Sequence, residues 1–304
     1  MYQRTVARPI SFTGIGLHLG KKVNVTIRPA EVDTGIVFLR TDLPDPIEIK
    51  ADVANVIHTK FATTLGSNGA KISTVEHLLA AFIGLGIDNA RIDIDSPEVP
   101  IMDGSASPFV YLLRSVGKKV QNKPKRFLVI RRPIKVCDGD KSAVLAPFKG
   151  LKITYTVDFN HHIIANQSYD MEFSNGNFER EICRARTFGF LKDVEVLKAN
   201  GLAKGGSLDN TIVLGDFRVL NKDGLRFPDE FVRHKILDSI GDLSLLGVPV
   251  VGHLIAHKSG HSLNHRLIKK VLSSKKNWKL AAANDESILK LRVPAFGLLG
   301  EVPA

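Results

Sequence analysis

The run Phe231-Val-Arg-His-Lys-Ile-Leu-Asp-Ser-Ile-Gly-Asp242 carries an imidazole and two carboxylates at a spacing that chemistry can use. At about 3.6 residues per helical turn, His234, Asp238 and Asp242 drift only ~40° per step, so a helix here presents all three along one stripe. Such a stripe is a metal-ligand or acid/base set in want of a further ligand. The strongest candidate lies far upstream, in Ser73-Thr-Val-Glu-His-Leu-Leu-Ala-Ala81, where Glu76 and His77 are adjacent.

Zinc in a hydrolytic enzyme usually takes three protein ligands and keeps its fourth position for water. His77, His234 and Asp238 supply such a set, and Glu76 is placed to reach the bound water as general base. Taken singly, each fragment fits an ordinary solvated helix, where a His-Asp pair four apart is a common ion pair. Their apolar neighbours Val75, Leu78, Leu237 and Ile240 argue for burial instead. A third piece is Lys258-Ser-Gly-His261. Gly260 permits an unusual backbone angle, and His261 is expected on a short loop after an apolar strand, suited to a general acid. Asp242 is a candidate for the carboxylate that holds His261 charged, a pairing that spacing alone leaves open.

The elements that must position these residues follow from periodicity. Thr5-Val-Ala, Val23–Ile27 and Gly35–Arg40 alternate as strands and read as antiparallel sheet. Val75, Leu78, Leu79, Phe82 and Ile83 are spaced for a helix over 74–84 with Thr74 as N-cap. A strand at Ala90–Asp95 and a helix at Ser107–Val116 follow, and Gly117–Arg126, rich in lysine, reads as a linker. Strands resume at Phe127, with a hairpin signal at Asp138-Gly139, and helices return over 189–200 and 229–246. The second half thus repeats the first in element order. The expected fold class is α+β: two similar layered α/β-sandwich domains, 1–120 and 127–275, with helices packed between the sheets, the site at their interface and a tail over 276–304.

At 304 residues and 44% apolar composition, the chain can bury one large core or two ordinary ones. Its longest apolar stretch, Leu243 to Ala256, is interrupted and falls well short of the ~20 residues of a membrane span. The N-terminus lacks the apolar core of a signal peptide, and two cysteines without C-x-x-C spacing fit a reducing compartment, so a cytoplasmic location is expected. Net charge of +11 raises a polyanion partner. The basic residues are scattered without interleaved aromatics, which argues against nucleic acid and leaves an anionic small molecule or an anionic bilayer surface. A structural zinc site usually carries cysteines, which this set lacks, and a zinc peptidase would show H-E-x-x-H, which is absent.

Many ordered motifs resemble one family. They include Gly14-Ile-Gly-Leu-His18, Thr63-Thr-Leu65, Ile72-Ser-Thr-Val-Glu-His-Leu78, Gly86-Ile-Asp-Asn89, Pro100-Ile-Met-Asp-Gly-Ser105, Asp158-Phe-Asn-His161, Arg184-Ala-Arg-Thr-Phe-Gly-Phe190, Gly224-Leu-Arg-Phe227, Phe231-Val-Arg-His-Lys235 and Lys258-Ser-Gly-His261. Through these, nearly the whole chain resembles the zinc-dependent UDP-3-O-acyl-N-acetylglucosamine deacetylases, which perform the committed step of lipid A synthesis in Gram-negative bacteria. The resemblance weakens from Lys275 onward.

The resemblance implies one zinc ion on His77, His234 and Asp238, with Glu76 activating the bound water, His261 protonating the leaving amine and Asp242 beside it. It implies Thr187 at the oxyanion, Phe188 at the sugar, Lys235 at substrate near the metal, and Phe159 stacked on uracil. Lys258, with Lys141 as a weaker candidate, would meet the diphosphate. A β-α-β insertion near 190–215 would enclose the acyl chain, with Leu197 in its wall and Ala203 and Leu208 at positions that set chain length. A monomer is expected, with peripheral contact to an anionic inner membrane as a further expectation. His18 lies on a turn near substrate, whereas His58, His162, His253, His257 and His265 get surface or packing roles. Ala62 stands where the family often has a cysteine.

Overall fold

The computed structural model describes residues 1–173 and 176–285. Strands β1 (Tyr2–Val6), β2 (Ile10–Ile15), β3 (Lys22–Arg28), β4 (Ile36–Arg40) and β5 (Ile47–Lys50) open the chain. A small antiparallel unit of β6 (Val56–His58), β7 (Thr64–Ser67) and β8 (Ala70–Ile72) leads into helix α1 (Glu76–Leu85), β9 (Ala90–Ile94) and α2 (Ser107–Val116). Alternating burial in β3 and β9 turns Val23, Val25, Ile27, Ile92 and Ile94 to one face. The five-stranded sheet runs β2-β3-β9-β4-β5. It is mixed rather than antiparallel as expected, because β4 lies parallel to β9. Side-chain alternation is the same in both arrangements, so the pattern could not distinguish them.

The segment expected as a linker is β10 (Lys118–Pro124), paired antiparallel with β1 outside that sheet. Its lysines, Lys118, Lys119 and Lys123, are exposed, as befits an edge strand. The next residue, Lys125, is 2% exposed and donates to Gly86 O at 2.8 Å, with Asp88 Oδ2 2.7 Å away.

In the second half, β11 (Arg126–Ile130), β12 (Ile134–Asp138), β13 (Lys141–Ala146), β14 (Leu151–Asp158) and β15 (Asn166–Phe173) are followed by β16 (Phe188–Phe190), α3 (Leu191–Ala199) and β17 (Ile212–Leu214). Then come α4 (Glu230–Leu243), β18 (Val250–His257), α5 (His261–Ser273) and β19 (Trp278–Ala282). β18 is the hub of a seven-stranded sheet, antiparallel to β13 and parallel to β11 and β14. β19 closes that sheet against β11, so strand pairing continues past residue 275, into the stretch expected as tail; the rest of that tail, 286–304, lies outside the described residues.

Helices α1 and α4 are buried on nearly every face, as befits helices sandwiched between other layers. They pack against each other, α4 also meets β14 and β15, and α5 covers β12 and β13. The fold is an α+β layered sandwich whose apolar core is continuous across both halves, from Val6 and Phe38 to Phe231 and Ile268.

Two local expectations need correction. Thr74 does not cap α1: it sits at φ 59° with its hydroxyl on Glu98 Oε1 at 3.3 Å, and the helix starts at Glu76 without a side-chain cap. His261 is not on a loop but is the first residue of α5, and the unusual backbone angle belongs to Lys258 (φ 52°), while Gly260 is extended.

Candidate active site

Glu76 and His77 open α1, and His234, Asp238 and Asp242 lie along α4, each no more than 4% exposed. The helices touch at Gly241, where an added Cβ would fall 2.1 Å from the Glu76 carbonyl oxygen. Only glycine permits that approach, and it sets the start of α1 against the last turns of α4.

Asp238 Oδ1 lies 3.5 Å from His77 Nε2 and 3.3 Å from His234 Nε2. Ligands about 2.0–2.1 Å from a tetrahedral zinc stand roughly 3.3–3.4 Å apart, the same separation. Asp238 Oδ1 is buried with no hydrogen bond, an acceptor left open toward the two imidazoles. Its other oxygen takes Lys235 Nζ at 2.6 Å. Burial, although Asp238 and the Ala185 carbonyl oppose it, pulls His234 down to about 4, so its ring is neutral at pH 7 as a metal ligand must be. His234 Nδ1 meets Ala185 O at 3.0 Å, which fixes the tautomer with Nε2 free. His77 Nδ1 is buried without such a partner. The donor set and its spacing fit zinc.

A second cluster adjoins this one. His261 Nδ1 is 2.9 Å from Asp242 Oδ2, and its Nε2 is 3.7 Å from Glu76 Oε1 and 3.8 Å from Asp238 Oδ2. Burial disfavours a charged ring, yet Asp242, Glu76 and Asp238 outweigh it and push His261 up to about 9. Burial raises Glu76 above the usual carboxylate range, against the pull of His261 and His77. Asn264, one turn into α5, donates to Asp242 Oδ2 at 2.8 Å. Thr63, just before β7, donates its hydroxyl to Asp242 Oδ1 at 2.7 Å and its backbone N–H to Glu76 Oε2 at 3.1 Å.

Both clusters reach a cavity of about 570 Å³ through Glu76, His77, His234, Asp238 and His261. Its wall brings together Glu76, His77, Thr187, His234, Lys235, Asp238 and His261 with Phe159, Phe188, Leu197, Lys141 and Lys258. Asp242 stands behind His261 rather than on the wall. Ala203, buried in the insertion, and Leu208, half exposed, do not border this cavity. Phe159 and Phe188 meet edge to face at 5.8 Å. Thr187 has both backbone groups occupied, N–H on Gly104 O and C=O on Ile212 N–H, each at 2.8 Å. Lys258 is already flanked by Asp140 and Asp158, each 2.8 Å from Nζ. His18 is off the wall, its ring nitrogens buried and without hydrogen bonds. Sequence reasoning missed Asn264, because a loop reading of His261 hid the i, i+3 relation, and it named Thr63 only as part of a motif.

A sequence model of the family described as UDP-3-O-acyl N-acetylglycosamine deacetylase matches residues 3–273. A relative in Myxococcus xanthus (strain DK1622), the UDP-3-O-acyl-N-acetylglucosamine deacetylase, is 53% identical over 98% of this chain and 95% of its own. Proteins of the same name from Syntrophus aciditrophicus (strain SB) and Shewanella loihica (strain ATCC BAA-1088 / PV-4) are 50% identical over 100% of this chain and 99% of theirs, and 51% identical over 98% and 99%. The chain therefore belongs to the UDP-3-O-acyl N-acetylglycosamine deacetylase family, hydrolases that act on an amide.

Proposed function

We propose that this chain removes the acetyl group from UDP-3-O-(3-hydroxyacyl)-N-acetylglucosamine in the cytoplasm, the committed step of lipid A synthesis, with one zinc ion held by His77, His234 and Asp238. The observation that carries the reading is the open Asp238 Oδ1 between two imidazole Nε2 atoms on a cavity wall that also presents Glu76 and His261. Zinc there would lower the pKa of a bound water toward ~7 and polarise the acetamide carbonyl.

The chain's own residues supply the rest. Glu76, oriented through Oε2 by the Thr63 N–H, takes the proton of the attacking water on its free oxygen. Its raised pKa brings it nearer the operating pH. Thr187, its backbone already engaged, has its hydroxyl left to donate to the oxygen on which charge develops. His261, kept protonated by Asp242, delivers the Nε2 proton to the departing amine. Lys235 holds Asp238 and contacts substrate beside it.

Phe188 faces the sugar and Phe159 the uracil, while Leu197 offers apolar surface to the acyl chain. Lys258 and Lys141 attract the diphosphate, which competes with Asp140 and Asp158 for Lys258. The basic surface makes peripheral contact with anionic lipid; among the described residues no helix is long and apolar enough to cross a membrane. The test is acetate release from the named substrate by chelated, zinc-restored and untreated protein. Chelation should abolish release and zinc restore it; indifference to chelation contradicts the proposal.

A further inference from the structure

We propose that Thr63 is a positioning residue for the acid/base pair, joining Glu76, Asp242 and His261 through three separate contacts. The inference rests on the roles given above to Glu76 and His261. Thr63 is 2% exposed and comes from the turn before β7, 179 residues from Asp242 and 198 from His261. Its N–H donates to Glu76 Oε2 at 3.1 Å, and its hydroxyl donates to Asp242 Oδ1 at 2.7 Å.

A hydroxyl has one proton, and here it goes to Asp242. The Thr63 oxygen, 3.2 Å from His261 Nδ1, is then left to accept, so both it and Asp242 Oδ2 favour a proton on Nδ1. That arrangement turns Nε2 toward Glu76 Oε1, at 3.7 Å. One residue thereby sets the orientation of the base directly and of the acid through Nδ1. Thr63 does not border the cavity, whereas its neighbour Ala62 does, so its contribution falls on turnover rather than on substrate affinity.

The discriminating variants are Thr63→Val, which keeps the shape and removes the hydroxyl, and Thr63→Ser, which keeps the hydroxyl. Thr63→Val should lower kcat roughly tenfold or more, as loss of a buried hydrogen bond to a charged group does, with KM unchanged and Thr63→Ser near wild type. In metal-free protein, the low-field proton resonance of His261 Nδ1–H should move in Thr63→Val and stay in place in Thr63→Ser. Should Thr63→Val fail to fold, Thr63→Ala, which introduces no new atoms, carries the same readings. Wild-type kcat in the folded Val or Ala variant, a loss that falls on KM, or an equal loss in the Ser variant overturns the inference. Failure of the wild-type protein itself to release acetate would instead contradict the proposed function, and the proton resonance would still decide whether Thr63 orients His261.

Discussion

Glu76 and His261 face each other at 3.7 Å, and their protonation depends on what stands behind each. Burial lifts Glu76, while behind His261 the Asp242 carboxylate, fixed by Thr63 and Asn264, more than offsets burial and the unfavourable place of a cation at a helix N-terminus. In metal-free protein His261 should titrate near 9 by NMR, and Asp242→Asn should lower that value toward the ordinary imidazole value of about 6.5. An unchanged titration in Asp242→Asn contradicts the pairing. Because the folded value is raised, the stabilisation from this group is fully present below about pH 6.5 and is lost as pH rises through about 9. At this scale the stripe of His234, Asp238 and Asp242 was legible, since helical spacing alone aligns them. The link from Asp242 to Thr63 was not, because no local rule brings together residues 179 apart.

Helices α1 and α4 carry the site because they approach closely, and Gly241 is the point of closest contact. Its added methyl would meet the backbone of Glu76, C at 2.8 Å and O at 2.1 Å, which no side-chain rotation relieves. Gly241→Ala should therefore destabilise the protein by about 1–3 kcal/mol, read by thermal or urea unfolding, and also lower kcat by shifting Glu76. Unchanged stability would mean the two helices can separate freely. The limits of α2 and the course of α1 and α4 were readable from the 3.6-residue period. Strand partners were not. The alternation of Ile36–Arg40 fits parallel and antiparallel neighbours equally, and the lysines of β10 look the same in an exposed edge strand as in a linker.

The whole molecule joins Glu76 and His77 from its first half to His234, Asp238 and His261 from its second around one cavity, within an apolar core that runs through both. Motifs spread over nearly the full length made that pairing of halves legible before any geometry. The surplus of cations, +11 in net charge, gives the molecule a field of its own. Flotation with vesicles containing anionic lipid should carry the protein upward at low salt and leave it behind at high salt. Flotation with neutral vesicles alone, or none, would contradict contact through charge. The account's central claim is that a buried carboxylate works beside a His/His/Asp zinc site, and the most direct test is acetate release by Glu76→Gln with zinc content measured on the same sample. The account predicts bound zinc near one per chain with kcat reduced on the order of 10²–10⁴. Full turnover in the zinc-loaded variant would contradict it.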